Sequence, residues 1–383
     1  MFSRLFIGLL SLSEAVLASE VAYRGSDGHT RRPPCHISKP SVEYSTIPGF
    51  FLQDNPHTDP DTFDYTLRNF GLINRPYSTD GKFDPHRNKT QWQRFEHYVE
   101  TLNAKAGKDT QYKVLFLARH GEGYHNIAES YYGTPAWNCY WGPLEGNGTY
   151  VWRDARLSEA GLAQCTKSHE FWKHALVVEK IPAPQTYYSS PLIRSATTAN
   201  LTFGGLDLPE DRPFTPTIKE LLREGISMRT CDLRSNKTYI ASLLPNFRFG
   251  DGFTENDELW RGDEGETAEA EFRRIKNAMD DIFTSDDSTW ISITTHSGQI
   301  KVNLEVLRHK PFSLSTGQAI PVLVKAHTLK VHQPTTTIKS WVVEPTCTSP
   351  PVASISGQGC VCSTAPSAFI VATPAPTSPQ LAI

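Results

Sequence analysis

Two runs with the marks of buried strands, YKVLFLA (Tyr112–Ala118) and WISITTH (Trp290–His296), constrain the fold most. The first is a continuous apolar stretch rather than an apolar–polar alternation, so it requires cover on both faces. The segments around the two runs can supply it. LSEAGLAQCTKSHEFWKHALVV (Leu157–Val178) reads as a helix with Ser158 as its N-cap. ETAEAEFRRIKNAMDDIF (Glu266–Phe283) and GQIKVNLEVLRH (Gly298–His309) read as two more. TYYSS (Thr186–Ser190) is a short strand, Pro191 stands where a following helix begins, and IPVLVKA (Ile320–Ala326) is the last strand. Strands alternating with long helices predict an α/β fold, a mostly parallel sheet covered by helices on both faces. In such sheets ligands collect beyond the carboxyl ends of the strands, where Arg119-His120-Gly121 and His296-Ser297-Gly298 fall.

The chain's 383 residues, 38% hydrophobic and 21% charged, are enough for a sizeable globular core. A formal net charge of -3 argues against a nucleic-acid surface. No apolar run reaches the ~18 residues of a membrane span. At the N-terminus, Arg4, the apolar Leu5–Leu12 and Val16-Leu17-Ala18 form the three parts of a secretory signal, with cleavage expected near Ala18. Asn-x-Ser/Thr sequons at Asn88, Asn147, Asn200 and Asn236 accord with a secreted glycoprotein. Seven cysteines at wide spacing exclude a zinc-ribbon pattern and leave at least one thiol unpaired within a monomer. Residues 345–383 contain no Asp, Glu, Lys or Arg and seven of the 27 prolines, the composition of a disordered tail. The expected organisation is therefore a signal (1–18), an N-terminal extension packed on the core (19–111), a main α/β domain (112–344) and the tail.

Four separated pieces converge on one chemistry. Arg119, His120, Gly121, Glu122 and Asn126 form R-H-G-E-x-x-x-N, and Asp154, Leu157, Ser158 and Gly161 form a helix start. SPLIRSATTA carries Arg194, and THSGQI carries His296. In this order they resemble the histidine phosphatase superfamily, the phosphoglycerate-mutase-like family, over Tyr112 to Val343. The block Ile47 to Gly71 and the aromatic insert look most like its fungal members.

The resemblance implies a covalent phosphohistidine mechanism with His120 as nucleophile. A neutral imidazole can attack phosphorus in line, and the P–N bond formed is reactive enough for water to cleave. Arg119, Arg194 and His296 would then surround the phosphoryl oxygens, Asn126 would add a neutral hydrogen bond, and the positive field would keep His120 unprotonated. The family's proton donor is a Glu. Glu224, in Leu222-Arg223-Glu224, matches best; Glu220, read as one helical turn earlier, and Asp232 are the alternatives. His125 reads as structural or peripheral, and Glu122 as a residue complementing the dipole of the helix that follows. Arginines and histidines supply the charge that a metal would, so no metal and no cofactor are expected. The partner is a small phosphorylated substrate.

Other motif readings fail. His169 and His174 stand five apart, not at the i, i+4 spacing of a helical zinc pair. His296-Ser297-Gly298 lacks the frame of a nucleophile elbow, and no phosphate-binding G-x-x-x-x-G-K-[ST] loop is present. The first motif lacks the R-x-P of the acid-phosphatase and phytase branch. The aromatic insert Ala128–Trp152 could be a substrate lid, a cleft wall or ordinary loop packing. The leading expectation is a secreted phosphomonoesterase; a phosphoglycerate-type mutase and a non-catalytic phospho-ligand binder are the alternatives.

Overall fold

A computed structural model describes residues 41–329, 338–351 and Cys362. The predicted signal and most of the predicted tail lie outside these residues. Nine strands are present among them: β1 (Ser41–Thr46), β2 (Thr110–Arg119), β3 (Thr186–Ser189), β4 (Thr217–Ile218), β5 (Arg248–Phe249), β6 (Glu264–Glu266), β7 (Trp290–Thr295), β8 (Ala319–Leu329) and β9 (Trp341–Val343). Seven form one sheet in the order β1-β8-β2-β7-β3-β4-β5; β6 and β9 pair separately. From β2 through β7, β3 and β4 to β5 every pairing is parallel.

The two apolar runs lie side by side at the centre, as their burial requires. β2 pairs with β7 from Val114–Trp290 to Arg119–Thr295. Val114 to Leu117 are all buried, and so are all six residues of β7. Successive strand residues face opposite ways, so both faces of the sheet are covered.

Helices form where caps and apolar stripes coincide. Ser158 accepts the Gly161 amide at the start of the helix Glu159–His174, which runs on through a π turn, Ala175–Glu179. Thr267 accepts the Ala270 amide at the start of the helix Ala268–Ser285. The buried positions of that helix, Ile275, Ala278, Met279, Ile282 and Phe283, recur at the spacing of one helical face.

The last strand of the series differs from expectation. β8 runs antiparallel to β2. Its direction is set by Leu307–Gln318, which returns to the carboxyl edge after the helix Ser297–Val306. There the Gly317 amide donates to His120 O, and the Arg119 amide donates to Gln318 O. β8 therefore begins beside the His120 loop and runs away from it. Pro321 lies within β8, where it can donate no ladder bond. The β1 ladder ends at Thr46–Val324, and at Pro321 the buried Gln53 Nε2 donates to the proline carbonyl instead.

Residues 41–105 contribute to the main core. β1 extends the sheet along β8, and Phe50, Phe51, Phe70, Trp92 and Phe95 are buried against Phe116, Trp172 and Trp290 of the strands and helices behind them. The helix Gln91–Lys105 starts with a reciprocal Thr90–Gln93 cap. At the other end of the chain, Cys347 is buried, its amide donates to Cys139 O, and its sulfur is bonded to Cys362. Cys139 is itself disulfide-bonded, and Cys165 and Cys231 are buried free thiols.

Candidate active site

β2 and β7 end side by side, and each delivers a histidine as it ends. The His120 amide donates to Thr295 O at 2.9 Å, which prolongs the ladder by one bond and holds the two imidazoles with their centroids 5.0 Å apart. Both rings are almost fully buried. His120 Nδ1 lies 2.6 Å from Gly121 O, a contact that only a protonated Nδ1 can make favourable. The lone pair is therefore on Nε2, toward which Arg194 Nε–H points from 3.4 Å. Burial first, then the guanidinium groups of Arg194 and Arg119, push the His120 imidazole well below the ordinary histidine range. His296 is pushed the same way, by burial and then Arg194. Its Nε2 lies 2.7 Å from Ser190 Oγ, and its Nδ1 is buried without a partner among the described residues.

Arg194 opens the helix Ile193–Phe203, directly after β3, and is held on two sides. Its Nη1 donates to Cys231 O at 2.6 Å, and Nη2 lies 3.7 Å from the buried Asp232. Asp154, at φ 40°, accepts the amides of Ile193 and Ser235, so it fixes the start of the same helix. Arg119 ends β2; its Nη1 donates to Leu314 O and its Nε is buried without a partner.

The glycines of the first motif act through close approach. A Cβ on Gly121 would lie 2.7 Å from Gly161 O, and one on Gly161 would run into Glu122 O. The His120 loop thus rests backbone to backbone on the start of the helix Glu159–His174. Glu122 helps to hold this contact: Ser158 Oγ donates to its carboxylate at 2.7 Å. Asn126 Oδ1 accepts the Gly123 amide.

The three candidate acids occupy different settings. The segment is not the helix that sequence suggested. A single 3-10 turn ends at Leu222, and Arg223 is extended (φ -75°, ψ 164°). Glu224 therefore reaches the N-terminus of the helix Ser297–Val306, where its carboxylate accepts the amides of Gly298 (3.2 Å) and Gln299 (2.9 Å). A Cβ on Gly298 would collide with it. Its charge is felt by Arg119, whose guanidinium is pushed down by burial and back up by Glu224. Glu220 is instead held between Arg223 (3.0 Å) and Arg234 (2.7 Å). Asp232 accepts Ser227 Oγ–H at 2.6 Å and faces Arg194.

Two groups near the site carried no clear signal in the sequence. His125 is buried with its ring 5.3 Å from that of His120. Glu271, in the first turn of the helix Ala268–Ser285, is pushed up to about 7 by burial, with Glu266 and Glu224 adding to the effect and Arg274 opposing it. The aromatic insert packs on itself: Trp137 and Trp152 are buried with Ala128, Ala155 and Cys231, and Tyr132 stacks on Trp141 at 4.0 Å.

Comparison with known proteins agrees with this geometry. The family model of the histidine phosphatase superfamily (branch 1) matches residues 115–343. The chain is 47% identical over 289 residues to a probable phosphoglycerate mutase of Arthroderma benhamiae, covering 76% of this chain and 86% of that protein. It is 35% identical over 320 residues to phosphomutase-like protein 3 of Candida albicans, with coverage of 82% and 90%. With a probable phosphoglycerate mutase of Saccharomyces cerevisiae the identity is 30% over 256 residues, with coverage of 62% and 85%. The chain belongs to the histidine phosphatase superfamily, whose members are enzymes, phosphatases or mutases.

Proposed function

We propose that the chain is a phosphomonoesterase that hydrolyses small phosphorylated substrates through a phosphohistidine on His120. The observation that carries this reading is the 2.6 Å approach of His120 Nδ1 to Gly121 O, which calls for the proton on Nδ1 and leaves Nε2 as a lone pair inside a cationic pocket. Nε2 attacks phosphorus, the P–O bond to the leaving group breaks, and Glu224 transfers a proton to the departing alkoxide. Water then attacks the phosphohistidine with Glu224 accepting its proton, the P–N bond breaks, and inorganic phosphate leaves. Arg119, Arg194 and His296 stabilise the equatorial charge in both steps, and Asn126 adds a neutral contact.

A transfer reading uses the same groups but gives the phosphoryl to a second hydroxyl instead of water. The names of the Arthroderma and Saccharomyces relatives favour it. Export favours hydrolysis, because a glycolytic phosphoester is cytosolic. We read Met1–Ala18 as an export signal, and the Cys347–Cys362 disulfide supports an oxidising compartment.

The test has three parts. His120→Ala should abolish turnover, and rapid-quench mapping of wild type should find acid-labile phosphate on His120. Glu224→Gln should slow alkyl phosphates by roughly 10²–10⁴-fold and aryl phosphates much less, since a phenolate leaves without a proton. Glu220→Gln should show no such contrast. Release of inorganic phosphate without an acceptor alcohol separates hydrolysis from transfer. Phosphate found on a serine, or full activity in His120→Ala, refutes the reading.

A further inference from the structure

His125 takes no part in the chemistry above, yet the fold brings it into the site. It sits in the first turn of the helix Tyr124–Tyr132, buried, with its ring 5.3 Å from that of the nucleophile. Room for it is made by a neighbour. A Cβ on Gly123 would lie 2.7 Å from His125 Nδ1 and 2.9 Å from its Cε1. The φ of Gly123, -108°, is one that any residue adopts, so glycine serves there for space and not for backbone freedom. Nδ1 is buried with no hydrogen-bond partner among the described residues. Native structures seldom leave such a group unsatisfied without a functional reason.

The surroundings point to an anion. Two more buried nitrogens of the same site, His296 Nδ1 and Arg119 Nε, are also without partners. Burial, then Arg194, His120, Arg119 and Arg229, hold the His125 ring well below the ordinary histidine range, so one nitrogen carries a proton and the other a lone pair. Nδ1 is walled off by Gly123. A proton there would strand a donor, whereas a proton on Nε2 leaves only an unused lone pair against the wall.

We propose that His125 contacts the transferring phosphoryl group, its Nε2–H donating to a non-bridging oxygen as phosphorus moves on to and off His120. This adds a third imidazole to the two that the phosphatase reading already uses, and it rests on that reading for the group in transit. The contact requires an N–H at the position of Nε2. Gln can supply one at nearly that reach; Asn, shorter by a methylene, cannot.

The experiment compares wild type with His125→Ala, His125→Gln and His125→Asn. Orthovanadate affinity is measured by calorimetry, kcat/KM with p-nitrophenyl phosphate, and Tm in phosphate-free buffer. The aryl ester is chosen because its leaving group depends little on Glu224. His125→Ala and His125→Asn should lose roughly 10–100-fold in vanadate affinity and in kcat/KM, the range of one hydrogen bond to a charged group, and His125→Gln should recover most of both. Tm should stay near wild type in the Gln variant. Values for His125→Ala within about twofold of wild type overturn the proposal. So does a loss that Gln fails to restore together with a lowered Tm, which marks a packing residue. Vanadate binding needs no turnover: if wild type hydrolyses no phosphomonoester but the binding losses appear as stated, the contact stands and the hydrolase reading falls.

Discussion

Acidification should unfold this protein through its active site, and replacing one imidazole should reveal it. His120, His125 and His296 are buried and held well below their ordinary pKa of 6.5, in each case first by burial and then by Arg194. The folded state keeps them neutral, while the unfolded chain protonates them below pH 6.5. Their stabilisation is therefore complete above pH 6.5 and is lost as the pH falls. A histidine that stays neutral in the fold loses about 1.4 kcal/mol per pH unit in that range, or about 2 kcal/mol by pH 5. Glu271 acts with the opposite sign, because a carboxyl pushed up to about 7 binds its proton more tightly in the fold. Between pH 8 and 5 it therefore offsets part of the loss from the imidazoles. Urea unfolding followed by tryptophan fluorescence at pH 8 and pH 5, in phosphate-free buffer, reads the change. The decisive quantity is the difference between variant and wild type: His125→Gln or His296→Gln should each reduce the loss between the two pH values, by on the order of 2 kcal/mol. If wild type and both variants respond equally to pH, the buried imidazoles are not neutral in the fold and the reasoning fails.

Gly298→Ala would drive a methyl into Glu224 Oε1 and displace the carboxylate from its two amide donors. In steady-state assays it should lower kcat for alkyl phosphates at least tenfold and for aryl phosphates far less. Turnover should survive dialysis against EDTA, because in the proposed mechanism Arg119, Arg194 and His296 carry the charge of the transition state; recovery only on adding zinc or magnesium would contradict this. Protein expressed in a eukaryotic host should reach the medium trimmed near Ser19 and shift on deglycosylation, and an intact intracellular N-terminus by mass spectrometry would refute export.

The sequence made the centre of the site legible because chemistry and topology coincide there. An apolar run long enough to be a buried strand ends in His120 and another ends in His296, and parallel pairing puts those two ends together. Ser158 was readable as a cap because a hydroxyl before a periodic stretch has few other uses there. The direction of β8 was not, since an apolar run is the same read either way; the path of Leu307–Gln318 decides it. Glu220 and Glu224 stand one turn apart only on a helix, and the extended Arg223 sends them to different surroundings. His125 is a lone histidine on a short helix, with no periodicity to betray its neighbours. Gly123 was the available signal, a glycine with no turn to make.

The central sheet also sets a schedule for biosynthesis. β2 leaves the ribosome early, yet its two neighbours in the sheet, β7 and β8, begin at Trp290 and Ala319. At roughly 5–20 residues per second, the apolar stretch Val114–Ala118 of β2 waits on the order of 10–30 s with both edges unpaired. An exposed, uncharged, β-prone segment is a template for aggregation in that interval. Residues 41–105 are made first, and their aromatic side chains bury Phe116 and its neighbours in the finished fold. They can cover one face of β2 while it waits. Deleting this segment should therefore harm yield on synthesis more than it harms protein already folded, and raising chaperone levels should recover part of the loss.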